Sequence, residues 1–504
     1  MSTAAQTFPL GDEPPPPSPP RARQVVLAKT RVVSTTRVLR RLFWTLAAGL
    51  TIAVACKSPG QTPESVIGAL LIIAAALTPA YLWATGKVRG LPIYPAYALT
   101  SVWTFALPLV SEHPIVQLFP GSNQLIGALS IVGFLVIGAL CWYPIARRPP
   151  RPPAVCWMMN EEQSSPLLLL VLGLCAVWTV IYTAGWVQPP TGVDSLIRAV
   201  LMALNALACF ILSFRLGSQR LRGPMKLAFF ILLGLLVIAN LPTLLLIVPM
   251  SLLAVSMMAY LVASKRLPWR VGLATLCVFG YLHVGKSDMR GRHWVGDEDF
   301  QIRPTQYPSF FGEWIGASWD GIRQSSEDEH EESLLERASL MHWLLYFEAM
   351  SPGQVPLLHG ETYAVIPHLF IPRILDPEKP RSNEGSFIVA IHYGIQTRDD
   401  TYITVFAFGL INEAYANFGF FGIAGLAVLL GVFYGKVAHW ARGMPIVSFR
   451  ALFAVLICSY SFQAEFMSTF YAAALFQSTV VLLVLTGVLM RPRRVDGAAA
   501  SLLD

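Results

Sequence analysis

The sequence predicts an all-α polytopic membrane protein with about twelve transmembrane helices and one large extracytoplasmic loop between the ninth and the tenth. Three observations lead there. Hydrophobic residues make up 54% of the chain and charged residues only 13%. The apolar residues come in stretches of 15 to 21, close to the roughly 20 residues that cross a hydrocarbon core. The charges fall between those stretches, as they do when each stretch is a span.

Taken in chain order, residues 1–41 read as a disordered, basic cytoplasmic tail, because 1–24 carry "EPPPPSPP" and lack apolar content. The basic stretch leads into a span with no small-residue cleavage site, so no cleavable signal peptide is expected. Nine spans fill 42–285: Leu42–Cys56, Ser65–Trp83, Pro92–Val110, Leu125–Ile145, Leu167–Val187, Leu196–Phe214, Leu227–Leu241, Leu244–Val262 and Trp269–Val284. The run from Leu227 to Val262 is too long for one crossing and is divided at Asn240-Leu241-Pro242, where proline breaks the helix. The polar loop domain occupies 286–405. Three more spans, Phe418–Tyr434, Ile446–Phe462 and Phe470–Met490, lie within 406–490, and 491–504 is a short tail. No internal repeat with a usable period is found, which argues against a transporter built of two inverted halves.

Loop charge gives the orientation. Lys and Arg cluster before the first span and in alternate loops, at Lys87/Arg89, Arg147/Arg148/Arg151, Arg215/Arg220/Arg222/Lys226, Lys265/Arg266/Arg270, Lys436/Arg442 and Arg491/Arg493/Arg494. The intervening loops "SPGQTPE", "SEHPIVQLFPGSN" and "QPPTGVD" have none. The positive-inside rule then puts both termini in the cytoplasm and the large loop outside. From Lys286 to Thr401 there are 10 Lys+Arg against 19 Asp+Glu, and the rest of the chain holds 27 against 11. The net +7 therefore reflects an inner face suited to anionic lipid, and no nucleic-acid partner is expected. Six cysteines lie in apolar spans, Cys156 in a cytoplasmic loop and none in the outer domain, which argues against a disulfide framework or a Cys-metal site.

The polar loop carries the residues suited to chemistry. "KSDMRGRHW" follows the ninth span directly, so Arg290 and Arg292 stand near the outer headgroups, as phosphate ligands or as helix-end anchors. The cluster Glu327, Asp328, Glu329, Glu331 and Glu332 reads as a solvated helix start rather than a divalent-cation site. Leu334, Leu335, Ala338, Met341, Leu345 and Met350 recur at helical spacing, which predicts an amphipathic helix lying on the membrane. In "IPHLFIPRILDPEKPRSNEGSFIVAIHYGIQTRDDTY" four prolines forbid a long helix and hold His368, Arg373, Asp376, Lys379, Arg381 and Glu384 on a stiff segment, with His392 and Arg398 beyond it. Ion pairs that staple the loop are the alternative reading. Glu413 stands near the outer boundary of the tenth span, where an apolar setting demands a cationic partner or a raised pKa.

About twelve spans, one large outer loop in the C-terminal half, "IPRILDPEKP" within it and "GLINEAYANFGFFG" opening the next span resemble the bacterial Wzy-type O-antigen and exopolysaccharide repeat-unit polymerases. That resemblance implies an enzyme of the inner membrane that transfers a nascent polysaccharide from undecaprenyl diphosphate to the sugar of an incoming lipid-linked repeat unit. It implies a flippase and a chain-length regulator as partners beside membrane lipid. Family members are described with outer-loop arginines at an Arg-x10-Gly spacing. Arg398 and Gly409 have that spacing, and the second copy is missing.

Such a transfer needs no cofactor, metal or nucleotide. The departing diphosphate gains negative charge that Arg290, Arg292, Arg373, Lys379, Arg381 and Arg398 would stabilise, while Glu413, His368, His392 or Glu384, in that order, takes the acceptor proton. Two other classes stay open. O-antigen ligases share the architecture and donor, but their outer-loop His-Asn pairing is absent, His392 being followed by Tyr393. A flippase or transporter would carry charge deep in several spans, and most spans here have none.

Overall fold

The computed structural model describes residues 21–57, 59–151, 153–160, 163–221, 223–293, 301–324, 336, 338–371, 375, 376, 378–402 and 404–495. Its helices, in chain order, are α1 (Arg21–Lys57), α2 (Pro63–Ala84), α3 (Ile93–Val110), α4 (Gly121–Ala146), α5 (Ser164–Thr183), α6 (Thr191–Gly217), α7 (Pro224–Asn240), α8 (Ile247–Ser264) and α9 (Trp269–Val284). Then come α10 (Lys286–His293), α11 (Tyr307–Gln324), α12 (Met341–Met350), α13 (Glu384–His392), α14 (Gly409–Ala441), α15 (Phe449–Tyr460) and α16 (Ser468–Leu489). Among the described residues ten helices are long and apolar enough to cross a membrane, and α9 and α15 are shorter apolar helices at two further expected spans. The chain is an all-α, multi-pass membrane protein. Residues 21–41, expected as a disordered tail, belong to α1, so the first helix reaches back through the basic stretch to Arg21.

The apolar run 227–262 divides where proline requires it. Helix α7 ends at Asn240, a single 3-10 turn covers Leu241–Thr243, and Leu244 turns left-handed (φ 54°) before α8 begins. Prolines also shape α3. Thr104 would normally pass its carbonyl to the N–H of residue 108, but that residue is proline and has none. The helix loosens into a π turn over Val102–Ala106, and the Thr104 carbonyl accepts the Leu340 N–H at 2.8 Å. The polar domain is thus tied to the bundle by a backbone bond that the proline leaves open.

Helix packing in the bundle follows small residues, since lipid supplies no hydrophobic drive between apolar helices. Helices α4 and α14 approach so closely at Gly138 and Gly431 that a Cβ on Gly431 would lie 2.4 Å from the Gly138 carbonyl oxygen. One end of the bundle carries the 286–402 segment and is called here the domain face. At the opposite end β1 (Val155–Met158) pairs antiparallel with β2 (Arg491–Arg494), and Arg442 donates to the Arg148 carbonyl at 3.0 Å. Three of the Lys/Arg-rich loops therefore converge on one face.

The amphipathic helix expected from 334 to 350 takes another form. Leu334 and Leu335 lie outside the described residues. Helix α12 starts at Met341 and buries Met341, His342, Leu344, Leu345 and Phe347 against the bundle. Its apolar spacing reflects packing against α4 and α14, not a lipid-facing side. Helix α14 also starts earlier than the expected Phe418, and it breaks at Phe418 and Gly419, the latter in the left-handed region (φ 60°).

Gly431→Ala should lower the unfolding free energy of the detergent-solubilised protein by about 1–3 kcal/mol, because backbone must move to admit the methyl. Gly425→Ala on the same helix meets nothing within 4 Å and should leave the unfolding midpoint unchanged. Equal midpoints for the two variants in a thermal melt would contradict the close packing.

Candidate functional site

The polar domain is held by the first turns of α14, residues 409–417 of "GLINEAYANF". Asn412 Nδ2 donates to the Leu340 carbonyl (2.8 Å), Tyr415 OH to the Ser351 carbonyl (3.3 Å) and Asn417 Nδ2 to Thr362 Oγ1 (2.9 Å). Asn417 Oδ1 accepts the Gly360 N–H (3.0 Å), and the Ala416 and Asn417 carbonyls accept from Leu358 and His359 (3.0 Å each). Glu413 takes the remaining direction. Its two carboxylate oxygens accept the Ser468 N–H (2.6 Å) and Ser468 Oγ (2.5 Å), and Thr362 also bonds it. Ser468 opens α16, so a fully buried carboxylate satisfies an N–H that has no partner within that helix, at its positive dipole end.

The residues expected to bind diphosphate fall into two groups. Arg290 and Arg292 lie on α10. Arg290 donates to the Leu244 carbonyl (3.0 Å) at the α7–α8 break, and Arg292 pairs with Asp288 (2.6 Å) and Glu313 (3.3 Å). The second group flanks α13 in the chain. Lys379 Nζ donates to the Leu369 and Ile371 carbonyls (3.0 and 2.8 Å), closing the end of the short helix Ile366–Leu369. The Arg381 carbonyl accepts the Glu384 N–H (3.0 Å), and Arg398 pairs with Glu384 at 2.9 Å. Arg398 and Glu384 thus pair at the start of α13, with the Arg398 side chain 60% exposed and that of Glu384 15%, and the backbone of the exposed Arg381 leads into that turn. Arg373 lies outside the described residues, as do Glu327, Asp328, Glu329, Glu331 and Glu332.

The two histidines differ. His368 is exposed at the end of its short helix. His392, half-buried at the end of α13, places Nε2 2.7 Å from the Pro356 carbonyl. A carbonyl only accepts, so Nε2 carries the proton and Nδ1 of the neutral ring holds a lone pair. No group of three or more His, Cys, Asp or Glu suited to a metal occurs among the described residues.

Three titratable groups escaped the sequence reading. Glu348 on α12 accepts from Ser130 Oγ (3.0 Å), and burial pushes its carboxyl up to about 7. His342 packs against His113 with the rings tilted (5.0 Å between ring centres) and is pushed down to about 3 by burial and that second imidazole. Glu465, half-buried in the α15–α16 connection, is raised by burial and pulled back by Lys286. A signal existed for both acids, each being the single carboxylate in an apolar stretch: "MHWLLYFEAM" and "SFQAEFMSTF". The chemistry available on this face is anion binding by guanidinium and proton exchange at half-buried carboxylates and one imidazole. No family model matches the chain, and neither a curated protein nor a solved structure matches it.

Glu413→Ala should cost on the order of 1–3 kcal/mol in a denaturant melt, since it strands the Ser468 N–H and hydroxyl in a buried site. Glu413→Gln keeps one acceptor and should cost less. Glu348 binds its proton more tightly folded than unfolded, so its contribution to stability is complete below 4.5 and is lost as pH rises through about 7. The unfolding midpoint of the wild type should therefore fall between pH 5 and 8 more steeply than that of Glu348→Gln. Parallel profiles would refute the raised carboxyl.

Proposed function

We propose that the chain is a membrane glycosyltransferase of the repeat-unit polymerase kind, acting on the outer face of a bacterial inner membrane with both termini in the cytoplasm. Its substrates in this reading are oligosaccharide repeat units linked to undecaprenyl diphosphate. The observation that carries the proposal is the Arg398–Glu384 ion pair at the start of α13, three residues past the exposed Arg381, with His392 at the other end of that helix. Sidedness is supported by the convergence of basic loops at the opposite end of the bundle.

In the proposed reaction the acceptor sugar hydroxyl attacks the anomeric carbon of the donor. The bond from that carbon to the diphosphate oxygen breaks, and the electron pair leaves with the diphosphate. Arg381 and Arg398 neutralise the charge that develops there, the planar guanidinium matching phosphate oxygens two at a time. Glu384 holds Arg398 in place. The acceptor proton passes to Nδ1 of His392, whose tautomer is set by the Pro356 carbonyl. Glu413, with both oxygens engaged by Ser468, acts in this scheme by positioning α16 rather than by taking a proton. His368 is the second base candidate.

The test is deletion of the gene in its host followed by analysis of surface glycan. The proposal expects single repeat units where a ladder or high polymer stood. Long polymer retained on the lipid carrier would point to a ligase instead, and unchanged glycan with altered solute uptake would point to a transporter. In a deletion strain, Arg381→Ala or Arg398→Ala should slow polymer formation about 30- to 1000-fold, equivalent to some 2–4 kcal/mol of transition-state stabilisation. Lys at either position should restore only part of the rate. Near-normal polymer from the double Ala variant at normal protein level would remove both residues from the mechanism.

A further inference from the structure

Helix α11 has three faces. Phe310, Trp314, Ala317 and Ser318 are buried against the end of α9, and Ser309, Glu313 and Asp320 form a polar side. The third face is an apolar stripe at spacings of four, three, four and three: Pro308, Gly312, Ile315, Trp319 and Ile322. This stripe is open, Ile315 and Trp319 each being 52% exposed and Ile322 46%. In water such a stripe on a helix with a buried face of its own would be a liability.

The helix lies where lipid would cover it. The segment leading into it is tied to the last residue of α5, Ile302 donating to the Thr183 carbonyl at 3.1 Å. Its middle is tied to the last turn of α9 by Trp314 Nε1 to the Leu282 carbonyl (2.8 Å), Tyr281 OH to the Ile315 carbonyl (2.8 Å) and the Gly285 N–H to Ser318 Oγ (3.2 Å). It therefore lies across the ends of two apolar helices. Helix α9 has 16 residues, or about 24 Å, and falls short of a hydrocarbon core of about 30 Å. Helix α9 also exposes Val271, Leu273, Leu276 and Val278, apolar residues on two sides of the helix, as a helix surrounded by lipid would. At the polar margin Arg323 stacks on Trp319 at 5.3 Å, pairing an interfacial aromatic ring with a headgroup-seeking cation.

We propose that α11 is an interfacial helix that sinks Pro308, Ile315, Trp319 and Ile322 into the acyl region of the leaflet on the domain face, completing the short span α9. Its partner is the lipid surface itself. Glu313, held by Arg292 and His293 of α10 at 3.3 Å each, keeps the polar side turned toward water.

The experiment uses the full chain in lipid nanodiscs, with the exposed Cys56 and Cys277 replaced by Ser, and an environment-sensitive fluorophore attached in turn at Ile315→Cys, Ile322→Cys and Asp320→Cys. Positions 315 and 322 should emit further to the blue than 320 and be quenched by brominated acyl chains roughly twofold or more above it, while iodide quenches 320. Two apolar positions are labelled so that failure of one variant to fold leaves the other decisive. Iodide quenching at 315 and 322 equal to that at 320 would overturn the proposal by showing the stripe in water. Protection of 315 and 322 from both quenchers would overturn it in favour of contact with a second copy of the chain.

Discussion

A fully buried carboxylate fixes the architecture of the domain face. Glu413 gives its two oxygens to the backbone and hydroxyl of Ser468, at the one place where α16 has N–H groups without partners inside its own helix. The bond joins two spans that are 55 residues apart in the chain. Within the same nine residues Asn412, Tyr415 and Asn417 each reach a different segment of the polar domain, at Leu340, at Ser351, and at Gly360 with Thr362. The turns before Gly419 therefore act as a hub, and the left-handed kink there lets those turns leave the line of the span below.

That hub explains why an exposed group of charges can be held in register beside a bilayer. The 286–402 segment buries its apolar residues largely against the bundle, as α12 and the inner face of α11 do, so much of its order comes from the bundle. The Thr104 carbonyl freed by Pro108, the α14 hub and the burial of α12 supply three attachments on different helices. Helix α13, with Arg381, Glu384 and Arg398 at its start, sits on that base through Gly385, which packs against Thr469 one residue past the Glu413 contact. Geometry at the proposed anion site thus traces back, through two contacts, to the buried carboxylate.

Spans were legible in the sequence because a hydrocarbon core imposes length and apolarity together, and because Pro242 leaves an uninterrupted helix no way through. The interfacial helix was misplaced, since periodicity alone cannot tell a face buried in protein from a face turned to lipid: 341–350 packs inward, while 307–324 carries the open stripe. The polar side chains of "INEAYAN" were visible, but their partners at Leu340, Ser351, Thr362 and Ser468 are distant in sequence, so the contacts of Glu413 with the start of α16 were not legible. The cations flanking α13 were visible in the sequence by their density alone. Their pairings were not, because a choice between Asp376, Glu378 and Glu384 as the partner of a given arginine depends on how the proline-rich turn folds back.

Amide hydrogen exchange of the wild type and Asn417→Ala in nanodiscs tests the hub most directly, because it reads each attached segment separately. The account predicts faster exchange at 358–364, where the Gly360 N–H and Thr362 lose their partners, with the amides of α4 and the 420–441 part of α14 unchanged. Unaltered exchange at 358–364 in the variant would show that the polar domain is ordered by something other than the α14 hub, and would contradict the central claim.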